Sequence, residues 1–363
     1  MKNLTHKAEE ALLGAVLFRP QALPELRWIP PGTFSRPDHA ALWGVLQSID
    51  LTKIPPKALP AAVSAAVARI EDPGIRHMLS PDRVQALANP GVCPDPARAP
   101  LYGGMVLESA IHRAVEHAGE QLRHTARRTE VDQALKALEH ADGTGRRLAQ
   151  LEAAWKAAPE TVRNLLDTQP EQPVTPVPRA ERVRLDLQAE TETVASLLAE
   201  PRQLAEVPWL HDRDFTHPEL QTVYRAMRTL DARRAPIDPL TVAWEAQRHP
   251  GAQPSDQALA ELQHAGNPGH AAWTGEQVLH TAALDRMDEA GHDIRNYGRH
   301  PSLAPGALID HAGQALEPCR DDHERIQHAE REPELTGDTE PVPAAPADSY
   351  EAPAPQHEME IDR

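Results

Sequence analysis

Aromatic side chains are scarce, at 4% of 363 residues, while Ala, Leu, Glu and Arg are abundant. Strands draw on aromatic and β-branched residues, so this shortage argues against a sheet and for helices. Ala-rich helices bury little area each, so many are needed to build a core. There are two cysteines, Cys93 and Cys319, and neither belongs to a C-x-x-C pair. That argues against a disulfide framework or a zinc ribbon and suits a reducing compartment. No apolar run approaches the roughly 18 residues of a membrane span. The amino-terminal run is short and follows Glu9 and Glu10, unlike a signal peptide. A soluble cytoplasmic protein without a membrane partner is expected.

Positive charge is also in short supply. The formal net charge is −17. Residues 324–363 hold 3 Lys+Arg against 11 Asp+Glu, which leaves −9 on residues 1–323. An acidic body is a poor ligand for phosphate backbones, so DNA binding is not the expected activity. One local run, Arg113, Arg123, Arg127 and Arg128, could form a basic patch. A solvated helix face is the plainer reading of such a run.

The usual catalytic signatures are missing. His323 and His328 flank "HERIQH" at a spacing of five, as do His112 and His117. A zinc helix needs four, so that both imidazoles share a face. No carboxylate pair lies on an apolar stripe, and no G-x-S-x-G turn occurs. Cys319 reads as a core thiol rather than a nucleophile. No metal, cofactor or catalytic residue is expected, although an enzyme of unfamiliar chemistry stays open as a class.

What the chain does contain is a repeated pattern. Shifted by 181 residues, 8–50 aligns with 189–231 without a gap. Identities include Ala8/Ala189, Glu9/Glu190, Leu17/Leu198, Pro20/Pro201, Trp28/Trp209, Phe34/Phe215 and Pro37/Pro218. Only six Trp and three Phe exist in the chain, so these coincidences point to duplication. A second block, 106–119 against 278–291, matches at an offset of 172. The nine-residue difference falls in connecting loops, which tolerate length changes.

Each unit reads as a small helical globule followed by an antiparallel helical hairpin. The expected class is all-α with two repeated helical domains. Their expected bounds are 1–160 and 187–325, with a Pro-rich linker at 161–186 and a disordered acidic Pro/Ala-rich tail at 326–363. In "FTHPEL" and "FSRPDH", Thr216 with Glu219 and Ser35 with Asp38 suggest capping boxes. Asp238 before Pro239 is a further cap, which the first copy lacks. The hairpins carry apolar stripes at helical spacing. Leu107, Ile111, Val115 and Leu122 lie on one, and Leu279, Met287, Ile294 and Tyr297 on the other. These faces need a cover, either the second copy or another chain.

The pattern at Ala8, Glu9, Leu12, Leu13, Gly14, Leu17, Pro20, Leu23, Phe34 and Pro37 resembles the amino-terminal domain of DnaB-type replicative DNA helicases. So do Glu190, Leu197, Leu198, Pro201, Phe215, Pro218, Pro236, Ile237, Asp238, Pro239, Thr241 and Val242. The resemblance implies an all-helical globule plus hairpin that pairs with copies of itself in a collar and docks primase. The family's motor needs a G-x-x-x-x-G-K-[ST] loop to hold triphosphate. No Gly-Lys dipeptide occurs in this chain. Helicase and ATPase activity are therefore not expected from it. The resemblance implies a non-enzymatic adaptor that binds a replicative helicase, a primase or a helicase loader, or that pairs with itself within or between chains. The alternative is a nucleic-acid-binding replication, plasmid or phage maintenance factor using the Arg113–Arg128 run.

Overall fold

Helix-forming stretches punctuated by proline become fourteen α-helices among the described residues of the computed structural model. It describes residues 2–55, 58–89, 91–167, 186–249, 251–265 and 271–336, and no strand occurs among them. The fold is all-α. In the first half, α1 (Lys2–Phe18) ends at a 3-10 turn begun by Pro20, and α2 (Pro37–Ser48) follows. Three short helices come next: α3 (Leu59–Val67), α4 (Pro73–Met78) and α5 (Pro81–Leu87). The hairpin is α6 (Ala99–Arg128) and α7 (Ala134–Ala157), closed by α8 (Glu160–Leu166). The second half runs α9 (Leu187–Ala199), α10 (Pro218–Ala232), α11 (Pro239–Ala246) and α12 (Asp256–Ala265). Its hairpin is α13 (Ala271–Arg299) and α14 (Pro305–Thr336).

The globules make like contacts at positions 181 apart. The Trp43 indole donates to Ile29 O at 2.9 Å, and the Tyr224 hydroxyl donates to Leu210 O at 2.8 Å. Phe34 lies 5.5 Å from Trp43, and Phe215 lies 4.8 Å from Tyr224. Trp28 and Trp209 each rest a ring edge where a Cβ on Gly103 or Gly275 would come within 3.3 Å. These two glycines are 172 apart, so the seat for the tryptophan keeps pace with the hairpin offset.

The helix starts differ from the expected capping boxes. His217 and Arg36 occupy the N-cap positions of α10 and α2, and neither makes a side-chain cap bond. The free amides are met instead from a distant helix. Glu190 of α9 accepts from Thr216 N at 2.8 Å and His217 N at 3.0 Å, and also from the Thr216 hydroxyl. Glu9 of α1 accepts from Ser35 N at 2.5 Å. Asp38 is held by Arg36 at 2.8 and 2.9 Å. A carboxylate at a helix start satisfies orphan donors and opposes the helix dipole. It can do so across 26 residues as well as across three. The cap at Asp238 forms as expected, reciprocated by Thr241. In α3 the N-cap is Ala58, with no side-chain bond.

Two expected bounds move. The linker assigned to 161–186 opens with the body of α8, whose Val162 is buried. The tail assigned from 326 begins inside α14, where Ile326 and Ala329 are buried. Both segments have apolar positions at helical spacing that packing could use. Residues 168–185 and 337–363 lie outside the described residues.

Candidate interaction site

The eight apolar hairpin residues come together in one place. Leu107, Ile111, Val115, Leu122, Leu279, Met287 and Ile294 are all buried. Tyr297 is half-buried, with its ring 5.3 Å from that of His311. All belong to, or pack against, one apolar cluster that takes in α6, α7, α13, α14 and the second globule. The faces left open for another chain are thus filled by the chain's own second hairpin. Of the two covers left open for these possible partner-binding faces, the second copy rather than another chain is the one found, and side chains buried within one core offer no surface to a partner.

The close approach has an identifiable cause. A Cβ on Gly119 would lie 2.6 Å from Gly291 O, and one on Gly291 would lie 2.8 Å from Gly119 O. Only glycine lets the backbones of α6 and α13 meet this closely. The helices run antiparallel through that point, and charged residues close both sides. Arg127 Nε donates to Asp288 Oδ1 at 2.7 Å, and Arg299 Nε donates to Glu116 Oε1 at 2.6 Å. Arg127/Arg299 and Glu116/Asp288 are each 172 apart. Residue i meets j while the counterpart of j meets the counterpart of i, which is the logic of an isologous two-fold contact. Arg123 to Asp288 at 3.3 Å and Arg295 to Glu120 at 3.2 Å extend the set. Asp288 is fully buried, so its two arginines offset a real desolvation cost.

His112 adds an unforeseen link. Its Nδ1 lies 3.0 Å from Gly298 O and its Nε2 3.1 Å from Leu303 O, at the far hairpin's turn. The outer helices mirror the inner ones: α7 and α14 run antiparallel, with His323 2.7 Å from Asp142.

The arginine run is spent on these contacts. Arg113 donates to Thr33 O at 2.7 Å and to Ser109 at 3.0 Å, while Arg123 and Arg127 hold Asp288. Arg128 is exposed. A phosphate-binding face would need these charges turned outward together. The sequence held a signal for the actual role: Arg123/Arg295 and Arg127/Arg299 repeat at the hairpin offset.

Burial pushes the Cys319 thiol up to about 12, which suppresses thiolate formation. Cys93 is also buried, and its thiol is pushed up by the same cause. Burial, with a smaller contribution from the Asp167 charge, pushes Glu108 of α6 up to about 7. Among the described residues no group of three His, Cys, Asp or Glu is placed to hold a metal ion. No helix among them is long and apolar enough to cross a membrane.

Residues 184–271, from α9 to the start of α13, match the model of the DnaB-like helicase N terminal domain family. The chain is also similar to the crystal structure of the N-terminal domain of DnaB helicase from Mycobacterium tuberculosis. Identity is 28%, over 36% of this chain and 95% of that one, with a TM-score of 0.34. No curated protein matches.

Proposed function

We propose that this chain is a non-enzymatic interaction module of DNA replication, built from two collar-type domains that pair within one polypeptide. The match over 184–271 supports the domain type. The like contacts at 181 and 172 residues support the duplication. The observation that carries the reading is the reciprocal pair Arg127–Asp288 and Arg299–Glu116 around Gly119 and Gly291. Linkage in one chain raises the effective concentration of the second hairpin, so the pairing needs little intrinsic affinity. A unit already paired in this way leaves its outer surfaces for a partner. The partner classes that fit are a replicative helicase, a primase and a helicase loader.

Size-exclusion chromatography with light scattering, using the full chain and each purified candidate, tests this. A stoichiometric complex with one of them is expected, and the chain alone should be monomeric. No complex with any of the three removes the reading. ATP hydrolysis by the purified chain would overturn its non-enzymatic part.

A further inference from the structure

The two globules close one corner with opposite charges. In the first half α5 packs on α1 and α3, as α12 packs on α9 and α11 in the second. Two guanidinium groups shut the first corner. Arg83 of α5 pairs with Glu10 of α1, and Arg36 holds Asp38 at 2.8 Å. At the 181-residue offset, Glu10, Arg36 and Asp38 become Thr191, His217 and Glu219. The helix α12 contains no Lys or Arg, and it brings Glu261 to the corner instead. The second corner therefore keeps two carboxylates and has neither arginine.

An open groove of about 260 Å³ lies there, between α9, α10 and α12. Leu220, Val223 and Leu262 line it and are buried. Leu187 also lines it and is 52% exposed. Glu219 and Glu261 lie on the same groove, and no Lys or Arg lines it among the described residues. Glu261 accepts from Gln257 Nε2 at 2.8 Å, and neither carboxylate forms an ion pair among the described residues. Pockets for whole small molecules run to about 300–1,000 Å³, so this groove takes a side chain or two rather than a cofactor. The first half shows which group satisfies carboxylates at this corner. A guanidinium presents a planar fork that matches a carboxylate, and its stem covers apolar surface while the head stays with the charges.

We propose that the groove between α9, α10 and α12 binds an arginine of a partner peptide. The guanidinium meets Glu219 and Glu261, the stem rests on Leu220 and Leu262, and an adjacent apolar side chain of the peptide covers Leu187. Charge complementarity selects this occupant, since two carboxylates face the groove without a counter-charge and the chain as a whole carries −17. The site lies outside the hairpin pairing and does not rest on it.

Fluorescence anisotropy on the full chain with a short labelled peptide of alternating Leu and Arg, at about 0.15 M salt, tests this. Saturable binding is expected. Glu219→Gln and Glu261→Gln should each weaken it about fivefold, and the two together about twentyfold. Thr191→Arg supplies a guanidinium from within the chain and should weaken it about tenfold. Glu139→Gln removes an exposed charge from α7, outside the groove, and should change binding less than about twofold. None of these four side chains is buried, so each variant should melt close to the parent. Absence of saturable binding overturns the proposal. So does a loss on Glu139→Gln as large as on the groove variants, which would mean diffuse attraction to an acidic chain. Binding that tightens about tenfold when Arg182 and Arg184 are both changed to Ala would give the groove to the chain's own arginines and overturn it too. Failure here leaves complexes with replication proteins untouched as a separate result.

Discussion

The two halves close the same corner with different chemistry. Where α13 and α14 meet the second globule, Asp214 and Asp322 alternate with Arg286 and Arg325. Arg286 reaches Asp322 at 2.6 Å and Asp214 at 2.9 Å. Arg325 bonds Asp322 at 3.0 Å, pairs with Asp214 and donates to Trp209 O at 2.9 Å. Both carboxylates are fully buried. In the first half, the positions of Asp214 and Arg286 fall on Thr33 and Ala114. There Arg113 makes a single bond to Thr33 O. Backbone geometry is thus compatible with a neutral four-charge cluster or with one hydrogen bond. What differs is the cost of breaking each, because a buried charge left without its partner is heavily penalised.

The largest expected effect breaks that contrast. Arg286→Met leaves two buried carboxylates sharing Arg325 and should cost about 3–5 kcal/mol. Arg113→Met removes hydrogen bonds at a partly exposed site and should cost about 1 kcal/mol. Urea midpoints of the two variants measure the difference. Equal losses would mean that the halves are energetically alike at this corner.

A second test strikes the contact the halves share. Gly119→Ala and Gly291→Ala each push a methyl group into the opposite backbone, at an expected cost of about 1–3 kcal/mol. Once one methyl has separated the helices, the second finds room. The double variant should therefore lose less than the sum of the singles. Strict additivity would show that the two glycines do not face one contact.

These features divide sharply in how legible they were. The helical class, the two hairpins and the apolar stripes follow from periodicity, which depends only on local spacing. The cap at Asp238 was legible for the same reason. Glu9 and Glu190 were matched as a repeated pair, but their role was hidden because their acceptor bonds span 26 residues. Charge alone did not separate a solvated face from Arg127–Asp288, since a long helix offers arginine to solvent or to a partner equally well. The apolar stripes showed that a cover was needed but not which one, because the closing contact lies 172 residues away.

Acidity gives the next test, at α8, where the halves part company. In the first half the chain turns after α7 and lays α8 on Gly104, whereas α14 continues as one helix to Thr336. Glu108 and Asp167 face one another beneath that turn, and burial raises both carboxyls. The Trp155 hydrogen bond to Asp167 works against the rise. The folded pKa of Glu108, about 7, lies above the ordinary value of 4.5. Folding therefore favours the protonated form. Its contribution is complete below 4.5, is lost as pH rises toward 7, and is absent above. Glu108→Gln should leave stability unchanged at acid pH and raise it by about 1–2 kcal/mol at alkaline pH, discounted for partial exposure. Thermal melts on either side of that window measure it, and a gain of equal size at both ends would assign the effect to packing rather than charge.

The smallest effect is also the most local. Asp238 caps α11 by accepting from Leu240 N and Thr241 N, both at 2.9 Å, and Asp238→Ala should cost about 1 kcal/mol. Ala58 begins α3 without such a bond, so Ala58→Asp should recover about 0.5–1 kcal/mol in the first half. Making both changes would move the cap from one half to the other, and the net change in melting temperature should be near zero. Because α3 also carries Pro60 in its first turn, one amide there needs no cap. The gain at Ala58 should therefore fall somewhat short of the loss at Asp238. A gain that matches or exceeds the loss would mean that the missing hydrogen on Pro60 contributes nothing, and that the halves differ in capping alone.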